Sequence, residues 1–387
     1  MKCRFCKSEL HHVFIDLINS PASNSFLKEA ELNEPEVYYP LKVYTCHKCF
    51  LVQIDEYKKS GNIFNNEYVY FSSFSKSWLR HASDYCEMMT KRFNLNRSNQ
   101  VIELASNDGY LLQYFQQLGI PVLGIEPILN TATVAIEKGI DTVVDFFGTR
   151  LAHNLAQKNK FADVLLGNNV LAHVPDIIDF VAGMKIILKK GGVITMEFPH
   201  LMKLVDNNQF DTIYHEHFSY LSFGTVKQIF ESQQLELFDV EELPTHGGSL
   251  RIFAKHQNDA AHPITASVTR LLLIERQKGL DTLDYYKNFS SRAADIKLDI
   301  VSFLVDQKRA NKKVAAYGAA AKGNTLLNYC GVKNDLVSYV ADANPNKQQK
   351  YLPGSHVPVV NEEMLRQQKP DFVIIFPWNL QEEITAQ

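Results

Sequence analysis

No stretch of this sequence approaches the ~20 consecutive apolar residues that a membrane-spanning helix needs, so no segment is expected to cross a bilayer. Nothing near the N-terminus joins a basic start, an apolar run and a small-residue cleavage site, and a cytoplasmic location is expected. Charge of one sign is also scarce. The 40 Lys and Arg against 43 Asp and Glu leave a net charge of −3, too little for a global field toward nucleic acid or an anionic membrane. The stretches CRFCKSEL and CHKCF offer few cations and no patch interleaved with stacking aromatics, so no nucleic-acid partner is expected. Cysteine is sparse at six residues, and in a reducing compartment clustered thiols are metal ligands more often than disulfides. Three motifs are missing as well: the GxGxxG of dinucleotide folds, the GxxxxGK[ST] phosphate loop and the HExxH zinc helix.

What is present begins with four of the six cysteines. Cys3 and Cys6 in CRFC, and Cys46 and Cys49 in CHKC, form two CxxC knuckles that can aim two thiolates each at one tetrahedral ion. Neither pair opens a helix after a strand, which argues against redox couples. Four thiolates close the coordination shell, so the expected Zn2+ is structural. Cys86 and Cys330 stand alone and read as small buried residues. Residues 11–45 alternate apolar and polar side chains, punctuated by Pro21, Pro35 and Pro40, and predict a small β-rich unit. A helix is expected from about Trp78.

From residue 101 the rhythm changes. VIELASNDGYLLQYF reads as strand, turn and helix, with Ser106, Asn107, Asp108 and Gly109 building the turn. PVLGIEP follows as a second strand ending at Glu126, about 20 residues on, where a carboxylate can accept from two ribose hydroxyls. Glu103 and Gly109 fit the looser pattern of S-adenosylmethionine sites better than a dinucleotide loop; the plainer alternative is an ordinary turn with a solvated Glu126. ADVLLGNNVLAHV and GGVITMEFPHL supply later strands with the helical IIDFVAGMKIILKK between them. Strands alternating with helices predict a parallel three-layer sheet, with Asn107, Glu126, Asn168, Asn169 and Glu197 at its carboxyl edge. Asp145 and Phe146 in DFFGTR occupy a loop where an adenine could pack, core packing being the equal alternative for Phe146 and Phe147.

TIYHEHFSYLS, residues 212–222, admits two readings, a metal site or a proton-transfer site. It lacks the i, i+4 histidine spacing of a helical zinc motif. Acid–base chemistry fits better, because a histidine near neutral pKa suits the removal of a proton α to a ketone. If 214–218 is helical, Tyr214 and His217 share a face; if extended, His215 and His217 do. A structural role is the expectation for His215. Further on, residues 262–311 predict two helices. KVAAYGAAAKGNTLLNYC then repeats strand, small-residue turn and helix, with Lys322 at a helix N-terminus suited to a diphosphate; a tight helix–strand contact is the alternative for Ala319–Ala321.

The CxxC pairs, ELASNDGYLLQYF, LGIEP, GNNVLAHVPD, EFPH, TIYHEHFSYLS, THGGSLR and YGAAAKGNTLLNYCG together resemble the S-adenosylmethionine-dependent sugar C-methyltransferases that act on nucleotide-linked 4-keto-6-deoxyhexoses, typically at C3. The likeness runs along nearly the whole chain with motif order preserved. It implies an α/β protein with an N-terminal zinc-binding β-rich unit (1–75), a central Rossmann-like class I methyltransferase domain (76–258) and C-terminal helices with a Rossmann-like domain (259–387). It implies S-adenosylmethionine as cofactor, contacted by Glu103, Ser106, Asn107, Gly109, Glu126, Asp145, Phe146, Asn168 and Asn169. It implies His217 as the general base with Tyr214 and Glu216 beside it, and Tyr68 or Tyr70 in YVYFSS as an active-site phenol, Tyr70 being preferred. A nucleotide-diphosphate 4-keto sugar would lie between the central and C-terminal domains, near His173, His246, Arg251, Lys322 and Asn324. A monomer is the expected state. Relatives in that family run past the NLQEEITAQ with which this chain stops, so a shortened C-terminus is expected.

Two other readings compete. One is a methyltransferase acting on oxygen or nitrogen of a sugar, or on RNA gripped by the zinc unit. The other is a zinc-stabilised module that holds a nucleoside without catalysis, which leaves Tyr70, His217 and Lys322 without a role.

Overall fold

The structure, a computed structural model, describes residues 1–57, 61 and 71–386. The alternating N-terminal segment folds as β1 (His12–Ser20), β2 (Tyr39–Thr45) and β3 (Val52–Ile54), an antiparallel sheet. Ile15, Leu17, Leu41 and Val43 follow the two-residue period of a strand toward one buried face, and an irregularity in register between Val13 and Ile15 lets Phe14 be buried as well. A 17-residue helix, Lys76–Arg92, leads out of this unit. The Ser75 side chain caps it by accepting from the Trp78 N–H, and Trp78, Ala82, Tyr85, Cys86 and Met89 form its buried stripe.

The central sheet is built from β4 (Val101–Leu104), β5 (Val122–Ile125), β6 (Thr142–Val143), β7 (Ala162–Asn168) and β8 (Leu188–Pro199), all parallel. The chain then leaves this sheet. β9 (Ser219–Tyr220) pairs with β3 and becomes the fourth strand of the N-terminal sheet. β10 (Leu235–Leu243) and β11 (Ser249–His256) return to complete the order β10-β11-β8-β7-β4-β5-β6, with β11 antiparallel to both neighbours. This is the sheet of a class I methyltransferase. Strand order reverses between β4 and β7, the position outside which a doubly wound sheet binds its ligand.

Helices Ala266–Lys278 and Phe289–Arg309 follow, where the periodicity of 262–311 predicted two. The longer one packs against β1 and against helix Ala321–Cys330. β12 (Val314–Tyr317), β13 (Val340–Ala341), β14 (Val359–Val360) and β15 (Phe372–Ile375) form a second parallel sheet, ordered β14-β13-β12-β15. Its reversal lies between β12 and β15. No helix among the described residues is long and apolar enough to cross a membrane.

Candidate active site

The loops leaving β4 and β7 and those leaving β12 and β15 line one cavity of about 540 Å³. Both doubly wound sheets therefore direct their switch points at the same space. On the β4 side the backbone alternates through the left-handed region at Ala105 (φ 56°), Asn107 (φ 49°) and Gly109 (φ 74°). This tight turn brings the Asn107 N–H to 2.9 Å from Glu126 Oε2, while the Ile128 N–H donates to Oε1 at 2.9 Å. Glu126 is buried on the cavity wall, and burial pushes its carboxyl up to about 7 against those two donors. Glu103 lies beneath it, fully buried, and burial together with the charges of Glu126 and Asp108 holds its carboxyl well above the ordinary range.

Asn168 and Asn169 leave the end of β7 and line the cavity. Both side-chain polar atoms of Asn168 are buried without a hydrogen-bond partner among the described residues. An unmatched buried amide beside a cavity is costly unless a ligand completes it. Asn169 Nδ2 lies 2.9 Å from His246 Nε2, and His246, itself in the left-handed region (φ 52°), closes the opposite side. Phe146 and Phe147 line the rim: Phe146 stays 44% exposed while Phe147 packs edge-on against Phe180 with centroids 5.4 Å apart. Ser106 and Gly109 support the turn from behind the wall. Asp145 is turned to Arg150, whose guanidinium lies 2.7 Å from each carboxylate oxygen.

The YHEH segment is neither helical nor extended. A turn closed by the His217 N–H and the Tyr214 carbonyl (2.9 Å) brings the Tyr214 and His217 ring centroids to 4.0 Å, tilted by 33°, and sends His215 the other way, to the Pro40 carbonyl and the Tyr39 ring. His217 Nδ1 is 2.8 Å from the Thr212 carbonyl oxygen. A carbonyl only accepts, so the ring proton sits on Nδ1 and Nε2 carries the lone pair. His173 is held the same way, Nδ1 to the Glu216 carbonyl at 2.8 Å, with its ring 4.7 Å from that of His217. Burial, then the neighbouring His173, His246 and Lys322, depress His217 well below the ordinary histidine value. His173 and His246 are pushed down to about 4, in both cases mainly by burial.

The far wall comes from the C-terminal sheet. Lys322 Nζ donates to Asn379 Oδ1 at 2.6 Å and lies 4.2 Å from the Trp378 ring centroid, and Trp378 in turn donates to Asp211 Oδ2 at 2.7 Å. Burial lowers Lys322 to about 8. Arg251 and Asn324 stand behind the walls. The Arg251 guanidinium pairs with Glu197 at 2.6 Å and with Glu241 at 2.8 Å, and Asn324 Nδ2 donates to the Ser23 carbonyl at 2.5 Å. Tyr68 and Tyr70 lie outside the described residues.

Three family models account for most of the chain: "Putative zinc binding domain" over residues 3–64, "Methyltransferase domain" over 78–240 and "C-methyltransferase C-terminal domain" over 244–387. The C-methyltransferase NovU of Streptomyces niveus is 32% identical over 386 residues, covering 99% of this chain and 91% of that protein. The chain belongs to the C-methyltransferase family. This C-methyltransferase, which is S-adenosylmethionine-dependent, also overlaps solved structures in its central part. A methyltransferase from Clostridium acetobutylicum matches 46% of the chain and 92% of its own, at 13% identity and a TM-score of 0.39. The magnesium protoporphyrin IX methyltransferase of Synechocystis matches 46% of the chain and 79% of its own, at 14% identity and a TM-score of 0.36. Similarity this low adds nothing to the assignment.

The zinc-binding unit of the C-methyltransferase brings Cys3, Cys6, Cys46 and Cys49 together with all four Sγ atoms within 4.8 Å of one another. Zn–S bonds of about 2.3 Å in a tetrahedron place sulfurs roughly 3.8 Å apart, so the donor set fits Zn2+. With four thiolates no position is left for water or substrate, and the ion's part is structural. Among the wall residues of this C-methyltransferase that sequence reasoning passed over are Asn24, Trp78 and Asn379. Trp78 read only as a helix-stripe residue, yet it stacks on His81 and meets the His246 ring edge-on at 5.2 Å. Asn24 and Asn379 reach the cavity from units distant in sequence, and no local pattern marks them.

Proposed function

We propose that this C-methyltransferase methylates a carbon next to the ketone of a nucleotide-linked 4-keto-6-deoxyhexose, C3 in the first instance. The observation that carries the reading is His217: a buried imidazole on the cavity wall whose Nδ1 proton is committed to the Thr212 carbonyl, leaving Nε2 as a base. S-adenosylmethionine, when bound, supplies an electrophilic methyl group. Glu126 would hold its ribose hydroxyls, and Asn168 would satisfy its unmatched amide on the same ligand. Phe146 at the rim is suited to cover an adenine.

His217 Nε2 takes the proton α to the ketone, which is acidic because the resulting charge is delocalised onto the ketone oxygen. A base kept neutral by burial needs no prior deprotonation at neutral pH, and the imidazolium it forms is offset by the enolate oxygen; Glu216, on the same cavity wall, is suited to add to that. Lys322 stands on the opposite wall, where a cation beside small residues suits a diphosphate. Closure by the C-terminal sheet excludes water from the enolate.

The test is incubation with a panel of nucleotide 4-keto-6-deoxyhexoses and methyl-labelled S-adenosylmethionine, with the label located by NMR. Label on a ring carbon adjacent to the ketone is expected. Label on oxygen or nitrogen, or no transfer across the panel, overturns the reading.

A further inference from the structure

The turn between β1 and β2 belongs to the zinc-binding unit, yet it delivers one side chain to the cavity. Asn24 Nδ2 lies 2.8 Å from Oε1 and 2.9 Å from Oε2 of Glu216, and both residues line the cavity wall. The amide bridges the two carboxylate oxygens, fixing the plane of the group from a segment 192 residues away in sequence.

The turn that carries Asn24 is itself clamped. The Ser23 carbonyl accepts from buried Asn324 at 2.5 Å, and Leu27 exchanges both backbone hydrogen bonds with Tyr351. Pro21 rests against Gly354, where an added Cβ would come within 3.0 Å of its ring. Asn24 is therefore held by the C-terminal domain while it holds a residue of the central one. A neutral N–H donor suits a carboxylate that has to stay charged: it orients the group without cancelling its charge, as Lys or Arg would.

We infer that Asn24 is a positioning residue for methyl transfer: through its bond to Glu216 it fixes a carboxylate beside the catalytic histidine, so that the zinc-binding unit completes the active site. The inference rests on the acid–base reading of Glu216 and His217. Without the Asn24 N–H, the plane of the Glu216 carboxylate is no longer fixed from the zinc-binding unit, and its placement on the wall shared with His217 shifts. Misplacement on this scale costs on the order of 10- to 100-fold in rate.

The experiment is steady-state kinetics on the full chain with Asn24→Ala, Asn24→Asp, Glu216→Gln and the double variant Asn24→Ala/Glu216→Gln, with zinc content and thermal stability measured alongside. Asn24→Ala is expected to lower kcat about 10- to 100-fold with the KM values changed little. Asn24→Asp, equal in size but lacking the N–H donors, is expected to lose at least as much. In the Glu216→Gln background, Asn24→Ala should cost almost nothing more, because the two act as one unit. An active Asn24→Asp enzyme overturns the inference, as do rate losses that multiply in the double variant. A crippled Glu216→Gln beside a silent Asn24→Ala sinks this inference alone, whereas a silent Glu216→Gln removes the acid–base reading beneath it.

Discussion

At the residue scale, the proposed base is tuned by what surrounds it. His217 loses basicity to burial and to neighbouring His173, His246 and Lys322, so it remains neutral well below 6.5. His217→Asn is expected to cut kcat by about 10²- to 10⁴-fold, the usual worth of a general base, while S-adenosylmethionine affinity, read by calorimetry, stays near wild type. Near-normal turnover in that variant would end the assignment. Glu126 answers to a different pH window. Its carboxyl is pushed up to about 7 because burial disfavours the charge, whereas the ribose hydroxyls proposed to bind there would favour it. Cofactor binding should draw the proton off, so affinity is expected to rise with pH up to about 7 and level above it. By linkage, the raised value means that the fold binds this proton more tightly than the unfolded chain, and stability from this group falls as pH rises through the same range. Glu126→Gln should flatten the affinity profile, which titration calorimetry across pH 5.5 to 8.5 would register.

At the element scale, the β4 turn shows how backbone shape makes a binding edge. Gly109 stands at φ 74°, and an added Cβ would meet Ile140 Cδ1 at 2.4 Å. Gly109→Ala is expected to cost about 1–2 kcal/mol from the left-handed backbone alone, with cofactor affinity lowered as the turn shifts. Equilibrium urea unfolding and a binding titration test the two effects separately. The turn was legible in SNDG because Asn, Asp and Gly are the residues that tolerate such a backbone. The YHEH conformation was not. Two-residue and 3.6-residue periods offered a strand face or a helix face, while the chain adopts a turn tied to Thr325 through the Ile213 carbonyl and to Ala172 through the Phe218 N–H. Those partners are far away in sequence, and they override local preference.

At the scale of the whole molecule, three units converge on one segment. Residues 212–220 pair with β3 through β9, accept from Asn24, bond to His173 and Ala172, and rest on Thr325. Zinc loss should therefore reach the active site by way of the fold. Chelation, or Cys46→Ser, is expected to lower the melting temperature and loosen the N-terminal sheet, with activity falling in step with the unfolded fraction. Thermal unfolding followed beside turnover checks this; a zinc-free protein as stable as the parent but inactive would contradict it. The sequence by itself determined the zinc ligands, the strand-turn-helix rhythm and the residue types at the strand ends, because knuckle spacing, hydrophobic period and turn chemistry are all local. Only the tertiary structure decided that two switch points face one cavity, that Arg251 and Asn324 stand behind its walls, and that Asn24 and Asn379 stand on them. Those facts depend on which strand ends meet across sheets, and contacts between units leave no periodic trace along the chain.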